Sequence, residues 1–183
     1  MHYTPITTHR LNTRFLTPED AAIWLEYATD AKATKYTLDN LLPGRTPEEA
    51  AKEFVHFAIN RYTSNRLGLQ ALIDKQTGDF VGQCGLLVQE VNGQREIEVG
   101  YHLLRRHWGK GYAAEAAKAF RDYGFENNFA ESMVSIIHPE NEASKKVAVR
   151  NGMQLAATDA KFRDTDYHLY RITRKEWEQL KSI

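Results

Sequence analysis

The segment from Glu96 to Asn127 constrains this chain more than any other. Glu96 to Leu104 alternates as a strand does: Ile97, Val99, Tyr101 and Leu103 share one face, and Glu96, Glu98, Gly100 and His102 share the other. Two glycines, Gly109 and Gly111, then lead directly into a helical pattern from Tyr112 to Asn127, with Ala113, Ala116, Ala117, Phe120 and Gly124 on one face. A strand that turns through glycines into a helix aims several backbone N–H groups at one point. The helix dipole adds about half a positive charge there. Glycines also let a bulky anion reach the main chain. Arg105, Arg106, His107 and Lys110 stand beside this turn, so the segment predicts a phosphate or pyrophosphate site. The competing reading is an ordinary glycine turn with solvated basic residues.

The remaining pattern predicts a mixed α/β chain. Arg10 to Leu16 reads as a first strand, and Thr17-Pro18-Glu19-Asp20 as a helix start with Thr17 as cap. Thr46-Pro47-Glu48-Glu49 repeats that signal. Leu67 to Asp74, Phe80 to Val88 and Glu96 to Leu104 are three strands joined by short turns, hence antiparallel neighbours. Ser132 to His138 follows the alanine-rich helix, and strand–helix–strand implies a parallel crossover. Asn141 to Asn151 reads as a helix ended by Gly152. Met153 to Ala160 and Tyr167 to Ile172 are strands, and Thr173 to Glu176 is a capping box opening a last helix. Nothing splits the chain, so residues 1–183 are expected to form a single domain: a mixed, mostly antiparallel twisted sheet flanked by helices.

Composition narrows the function. The 24 basic and 24 acidic side chains cancel, which argues against a general nucleic-acid binder but not against a local anion site. Cys84 is the single cysteine, so neither an internal disulfide nor a cysteine zinc site is expected. It sits in an apolar strand-like run and reads as a core residue rather than a nucleophile. The seven histidines show no metal-ligand spacing, and no catalytic metal is expected. Met1 to Phe15 lacks the features of a signal peptide. Phe80 to Val88, the longest largely apolar stretch, is too short for a membrane span, and a cytoplasmic protein is expected. Gly109-Lys110-Gly111-Tyr112-Ala113-Ala114 formally satisfies the dinucleotide fingerprint G-x-G-x-x-A. An antiparallel meander precedes it, however, and too little chain follows for a second mononucleotide half. An ATP-type phosphate loop is absent.

Arg106-His107-Trp108-Gly109-Lys110-Gly111 resembles the [QR]-x-x-G-x-[GA] signature of the GNAT superfamily of acetyl-CoA-dependent N-acetyltransferases. Val99-Gly100-Tyr101, Asn141-Glu142-Ala143-Ser144, Asn151-Gly152-Met153 and the closing run from Leu169 to Trp177 resemble its ribosomal-protein alanine/serine N-terminal acetyltransferase branch. The resemblance implies acetyl-CoA as cosubstrate, with its pyrophosphate on the turn from His107 through Tyr112 to Ala113. The pantetheine arm would pair with the strand edge at His102, Leu103 and Leu104, splayed from the next strand by a bulge for which Gly100 is the candidate. Asn141 would bond the pantetheine amide or simply cap its helix. Ser144 would contact the arm or the sulfur, or only cap.

The implied chemistry is direct attack of a primary amine on the thioester, with no acyl-enzyme. A protonated amine must lose a proton, so a base is needed. Backbone N–H groups of the splayed strand would polarise the carbonyl. Glu98 is the first candidate base, with a cross-strand salt bridge as its competing role, and His102 is the second. Ser144 and Tyr167 are candidate acids, with Asp159, Asp164 and Asp166 in the same stretch. His138 and His168 read as structural or solvated. Trp24, Phe54, Phe57 and Tyr62 read as helix-packing residues, and Tyr36 to Arg45 as a loop that helps select the acceptor. That acceptor is a protein N-terminus or a small amine such as a polyamine, antibiotic or amino acid. A noncatalytic CoA-binding sensor is the reading from a different class. No feature specifies an interface, leaving monomer and homodimer open.

Overall fold

The computed structural model describes residues 3–37, 43–64, 66–163 and 165–182. Seven strands form one sheet in the order β1-β2-β3-β4-β5-β7-β6. They are β1 (Leu11–Arg14), β2 (Leu67–Asp74), β3 (Phe80–Val91), β4 (Gln94–Leu103), β5 (Ser132–Ile137), β6 (Gln154–Phe162) and β7 (Thr165–Thr173). Every neighbouring pair is antiparallel except β4 and β5, which are parallel. That exception follows from the crossover helix between them.

The helices are α1 (Asp20–Thr29), α2 (Ala31–Thr34), α3 (Pro47–Thr63), α4 (Tyr112–Glu126), α5 (Glu142–Arg150) and α6 (Arg174–Lys181). One face of the sheet is covered by α1 and α3, through Trp24, Tyr27, Phe54, Val55 and Ala58 against Leu69, Ala71 and Phe80. The other face is covered by α4, through Ala116, Ala117 and Phe120 against Val81, Leu86, Val99 and Leu103. A Cβ at Gly124 would lie 2.3 Å from Met133 Cε, so the missing side chain lets α4 settle onto β5. Cys84 is buried in this core, as expected, and burial pushes its thiol pKa up, away from the reactive thiolate.

Both capping boxes form, at Thr46 with Glu49 and at Thr173 with Glu176. The first helix departs from expectation. It begins at Asp20, with Glu19 at the cap position, rather than at Pro18 behind a Thr17 cap. The Asp20 carboxylate accepts from Thr17 N–H at 2.8 Å and from both terminal nitrogens of Arg14 at 2.7 Å, so Thr17 joins a turn instead of capping. Phe57 also differs: it is 54% exposed and lines a cavity rather than packing in the core.

The expected bulge at Gly100 is absent. The β3–β4 register runs unbroken from Gly82↔Leu103 to Val91↔Gln94. A Cβ at Gly100 would meet Leu87 Cδ1 at 2.9 Å, so this glycine makes room for a neighbour instead. The sheet opens one strand further on. β4 and β5 share the single pair Glu98↔Val134 and then diverge. Ser135 stands in the fork, buried, its Oγ donating to the Val99 carbonyl at 2.9 Å.

Candidate active site

The fork decides which backbone groups of β4 are available. Leu104 N–H donates to Val81 O at 3.1 Å, so Leu104, and by strand alternation His102 and Gly100, direct their backbone groups toward β3. Val99, Tyr101 and Leu103 face the fork. Ser135 satisfies the Val99 carbonyl, and Trp108 Nε1 donates to the Leu103 carbonyl at 3.0 Å. The open edge is therefore Tyr101, both N–H and C=O, with Leu103 N–H. This corrects the expectation that the backbone groups of His102 and Leu104 lie on that edge.

Beyond the edge, a short 3-10 turn (Arg105–His107) leads into the glycine turn. Gly109 and Gly111 adopt φ of 73° and 82°, left-handed values that side-chain-bearing residues rarely take. Gly111 caps α4 without a side-chain acceptor. Trp108 N–H is accepted by Arg105 O and Glu115 N–H by Gly111 O. No backbone partner is found among the described residues for the N–H groups from Gly109 to Ala114. These amides, half a helical charge and exposed Lys110 give the turn the chemistry suited to an anion.

The other three cationic candidates are arranged differently. Arg105 is ion-paired with Asp30 and Arg106 with Glu26. His107 is buried, with neither ring nitrogen partnered among the described residues. Burial, then neighbouring Arg106 and Lys110, lower its pKa and favour a neutral ring. Arg10, far away in sequence, sits at the turn instead: Nη1 donates to Lys110 O at 2.8 Å and its guanidinium lies 4.4 Å from the centre of the Tyr112 ring.

A cavity of about 450 Å³ occupies the fork. Glu98, His102, Ser144 and Tyr167, the four catalytic candidates, all line it, together with Asn141. Glu98 and His102 belong to the face covered by α1 and α3, while Tyr101 reaches the opposite face and donates from Oη to the Ser144 carbonyl at 3.2 Å. Asn141 Oδ1 accepts from Ser144 N–H at 3.1 Å, so the cap forms and Nδ2 remains as a donor.

Two candidate bases sit in opposite electrostatic settings. Burial pushes the Glu98 carboxyl above the ordinary carboxylate range, against the Gln89 amide that donates to its Oε2 at 2.8 Å and the nearby Arg61 guanidinium. Burial pushes His102 the other way, from 6.5 down to about 4. Its ring stands edge-on to Phe54 at 5.2 Å, and Nδ1 lies 3.2 Å from Tyr27 Oη. Tyr27 donates its own proton to Thr37 Oγ1 at 3.0 Å, so Nδ1 is the donor to Tyr27 and Nε2 keeps the lone pair.

The mouth of the cavity is bridged by the chain after α2. Tyr36 stacks on His138 at 4.7 Å, and Lys35 pairs with Glu140 at 3.3 Å. Tyr36 and Thr37 line the cavity; of the expected selectivity loop, residues 38–42 lie outside the described residues, as does Asp164 among the candidate acids. Sequence reasoning missed Tyr27, Tyr101, Ser135, Gln89 and Arg61. Ser135 carried one signal, a polar residue inside the apolar run Ser132–Ile137. Among the described residues no group of three or more His, Cys, Asp or Glu is placed to hold a metal ion. No helix of the described residues is long and apolar enough to cross a membrane.

Residues 10–154 match the model of the acetyltransferase (GNAT) domain. The uncharacterized N-acetyltransferase p20 of Bacillus licheniformis is 30% identical over 176 residues, spanning 93% of this chain and 96% of the relative. An acetyltransferase structure from Agrobacterium tumefaciens superposes with a TM-score of 0.77 at 27% identity, covering 94% of this chain and 95% of that one. The ribosomal L7/L12 alpha-N-protein acetyltransferase RimL, solved in complex with coenzyme A, shares the fold with a TM-score of 0.69 at 17% identity, over 92% of this chain and 97% of that one.

Proposed function

Because this chain belongs to the GNAT acetyltransferase family, we propose that it transfers an acetyl group from acetyl-CoA to a primary amine by direct attack. The observation that carries the proposal is the fork: an open β4 edge joins an anion-binding turn at one end to a cavity holding a buried carboxylate at the other.

The free donors of this chain fit acetyl-CoA. The amides from Gly109 to Ala114 and Lys110 would hold its pyrophosphate, with Arg106 joining by exchanging Glu26 for a phosphate. Tyr101 and Leu103 would pair with the pantetheine arm along the open edge, and Asn141 Nδ2 would donate to an arm carbonyl. Acetyl-CoA supplies an acetyl group already activated as a thioester.

Glu98 takes the proton from the attacking amine. Its raised pKa makes it a stronger acceptor than an ordinary glutamate, closer to working pH. His102, lowered to about 4, is a weak base, and its neutral Nε2 is suited to positioning the amine. Tyr101 N–H, turned into the fork, would donate to the carbonyl oxygen as charge develops there. Ser144, which lines the cavity at the start of α5, would relay a proton from solvent to the departing sulfur through its hydroxyl. Tyr167 lies on the β7 face that carries Leu169 and lines the cavity, where it would stand beside the acceptor.

Release of free CoA thiol with a panel of peptides and small amines tests the activity. Acetyl-CoA is expected to raise the melting temperature by mass action, and NAD and ATP far less. Binding of acetyl-CoA with no turnover of any amine would replace the enzyme by a sensor. An equal response to NAD would restore the dinucleotide reading.

A further inference from the structure

The acceptor end of the cavity carries an unusual charge distribution. Arg61, Arg66 and Arg163 all line it, and none has an ion-pair partner among the described residues. The cavity continues into a second lobe, to which the same three arginines contribute together with Arg95 and Lys161. Lys161 is paired with Asp166. Glu98 and Glu90 are the carboxylates lining the two lobes, and Glu98 has its charge disfavoured by burial. Burial, then the like charges of Arg66 and Arg163, lower the Arg61 pKa against the opposing pull of Glu98. Three guanidiniums around one cavity outnumber its single carboxylate, Glu98, and an anion in their midst would relieve their mutual repulsion. Elsewhere along the same cleft the arrangement is the reverse: Arg105 and Arg106 are each paired with an acid.

The spacing is informative. Arg61 donates from Nη1 to Val88 O at 3.1 Å and from Nη2 to Gln89 Oε1 at 3.3 Å. The other end of the same Gln89 amide donates to Glu98 at 2.8 Å. One amide group thus separates a guanidinium from the carboxylate assigned to accept the amine's proton. The cavity wall presents an anion-binding and a cation-binding group close together, the pairing that an amine bearing a nearby anionic group would match.

Resting on the transferase reading above, we propose that the acceptor is an amine that carries its own anionic group a few bonds away, held by Arg61, Arg66 and Arg163 while the amine meets Glu98. A free amino acid and the first residues of an acidic peptide share this chemistry. A polyamine does not, because its second cation would meet the guanidiniums.

The test measures thiol release with matched pairs at equal free-base concentration. One pair is an amino acid and its amide; the other is an Ala-Asp-Phe-amide peptide and its Ala-Asn-Phe-amide counterpart. At about 50 mM salt the anionic member of at least one pair is expected to show at least about tenfold higher kcat/KM, and the pair that responds identifies the source. Raising the salt to about 0.5 M should shrink that preference severalfold, since charges at the exposed rim become screened. Replacing Arg66→Gln together with Arg163→Gln should move the ratio toward one, and Arg163→Glu should lower it further. Equal or better turnover of the neutral members, or of spermidine, by the unmodified protein would overturn the proposal while leaving the transferase intact. Turnover of no amine despite acetyl-CoA binding would overturn both.

Discussion

The two ends of the β4–β5 cleft offer the means to hold a charged ligand from different parts of the chain. At the glycine turn the donors are main-chain amides of consecutive residues, set by two left-handed glycines and a helix start. At the other end they are side chains far apart in sequence, Arg61 on α3, Arg66 just before β2 and Arg163 between β6 and β7, assembled around one cavity. A backbone site depends on the main-chain path, here on two glycines in left-handed conformations, more than on the side chains around it. A side-chain site can be retuned one residue at a time, so it is the natural seat of substrate choice.

That contrast yields graded expectations. Glu98→Gln should break the acceptor end alone: kcat falls by about 10²–10⁴, the range for loss of a general base, while acetyl-CoA affinity stays within about twofold. The pH profile sharpens this. With Glu98 as the proposed base its protonated form would be inactive, so kcat/KM should fall as pH drops below its raised pKa, and an acid limb confined to the ordinary glutamate range would reject the assignment. The stability sign is opposite to the activity sign. A carboxyl with a raised folded-state pKa loses stabilisation as pH rises through that pKa. Glu98→Gln should therefore leave the melting temperature at pH 7 unchanged or higher.

Gly111→Glu should break the other end. It forces a side chain into φ 82° and puts negative charge where phosphate would sit, and CoA affinity should fall about 10²-fold or more by calorimetry. Retained affinity would sink the placement of the pyrophosphate. His102→Phe addresses the cleft wall. A histidine lowered from 6.5 to about 4 stabilises the fold above its unfolded pKa and loses that contribution as pH falls through 4. The variant should flatten the stability loss between those values by roughly 2 kcal/mol in urea titrations. Ser135→Ala has the smallest effect: the buried Val99 carbonyl loses its donor, at a cost of about 1 kcal/mol, with little change in CoA affinity. A large affinity loss there would show that the wedge holds the fork open for the arm.

The same contrast explains what could be read from the sequence. The turn was legible because its chemistry is contiguous: Gly109, Lys110, Gly111 and the alanines after them carry strand, turn and helix start within a few residues. The helix caps at Thr46, Asn141 and Thr173 were legible for the same reason. The fork was anticipated but misplaced at Gly100. Its cause is the departure of β5 from β4 after one residue pair, a property of two strands that neither reveals alone. Glu98 and His102 were recognisable by face, yet the settings that separate them come from Gln89, Arg61, Tyr27 and Phe54 on other elements. The expected cationic cluster was half right: acids on α1 and at its C-terminal cap, invisible in the local pattern, already engage Arg105 and Arg106.

Trp108 offers a last consequence. Its indole is 45% exposed and lies in the glycine turn, whereas Trp24 and Trp177 are 0% and 6% exposed in the core. Indole emission shifts with the polarity around the ring, so the two buried rings form a constant background and Trp108 reports on its surroundings. The chain carries its own fluorophore at the place where a CoA phosphate would arrive. Occupancy of the turn should be readable in dilute solution, without a label and without any acceptor present.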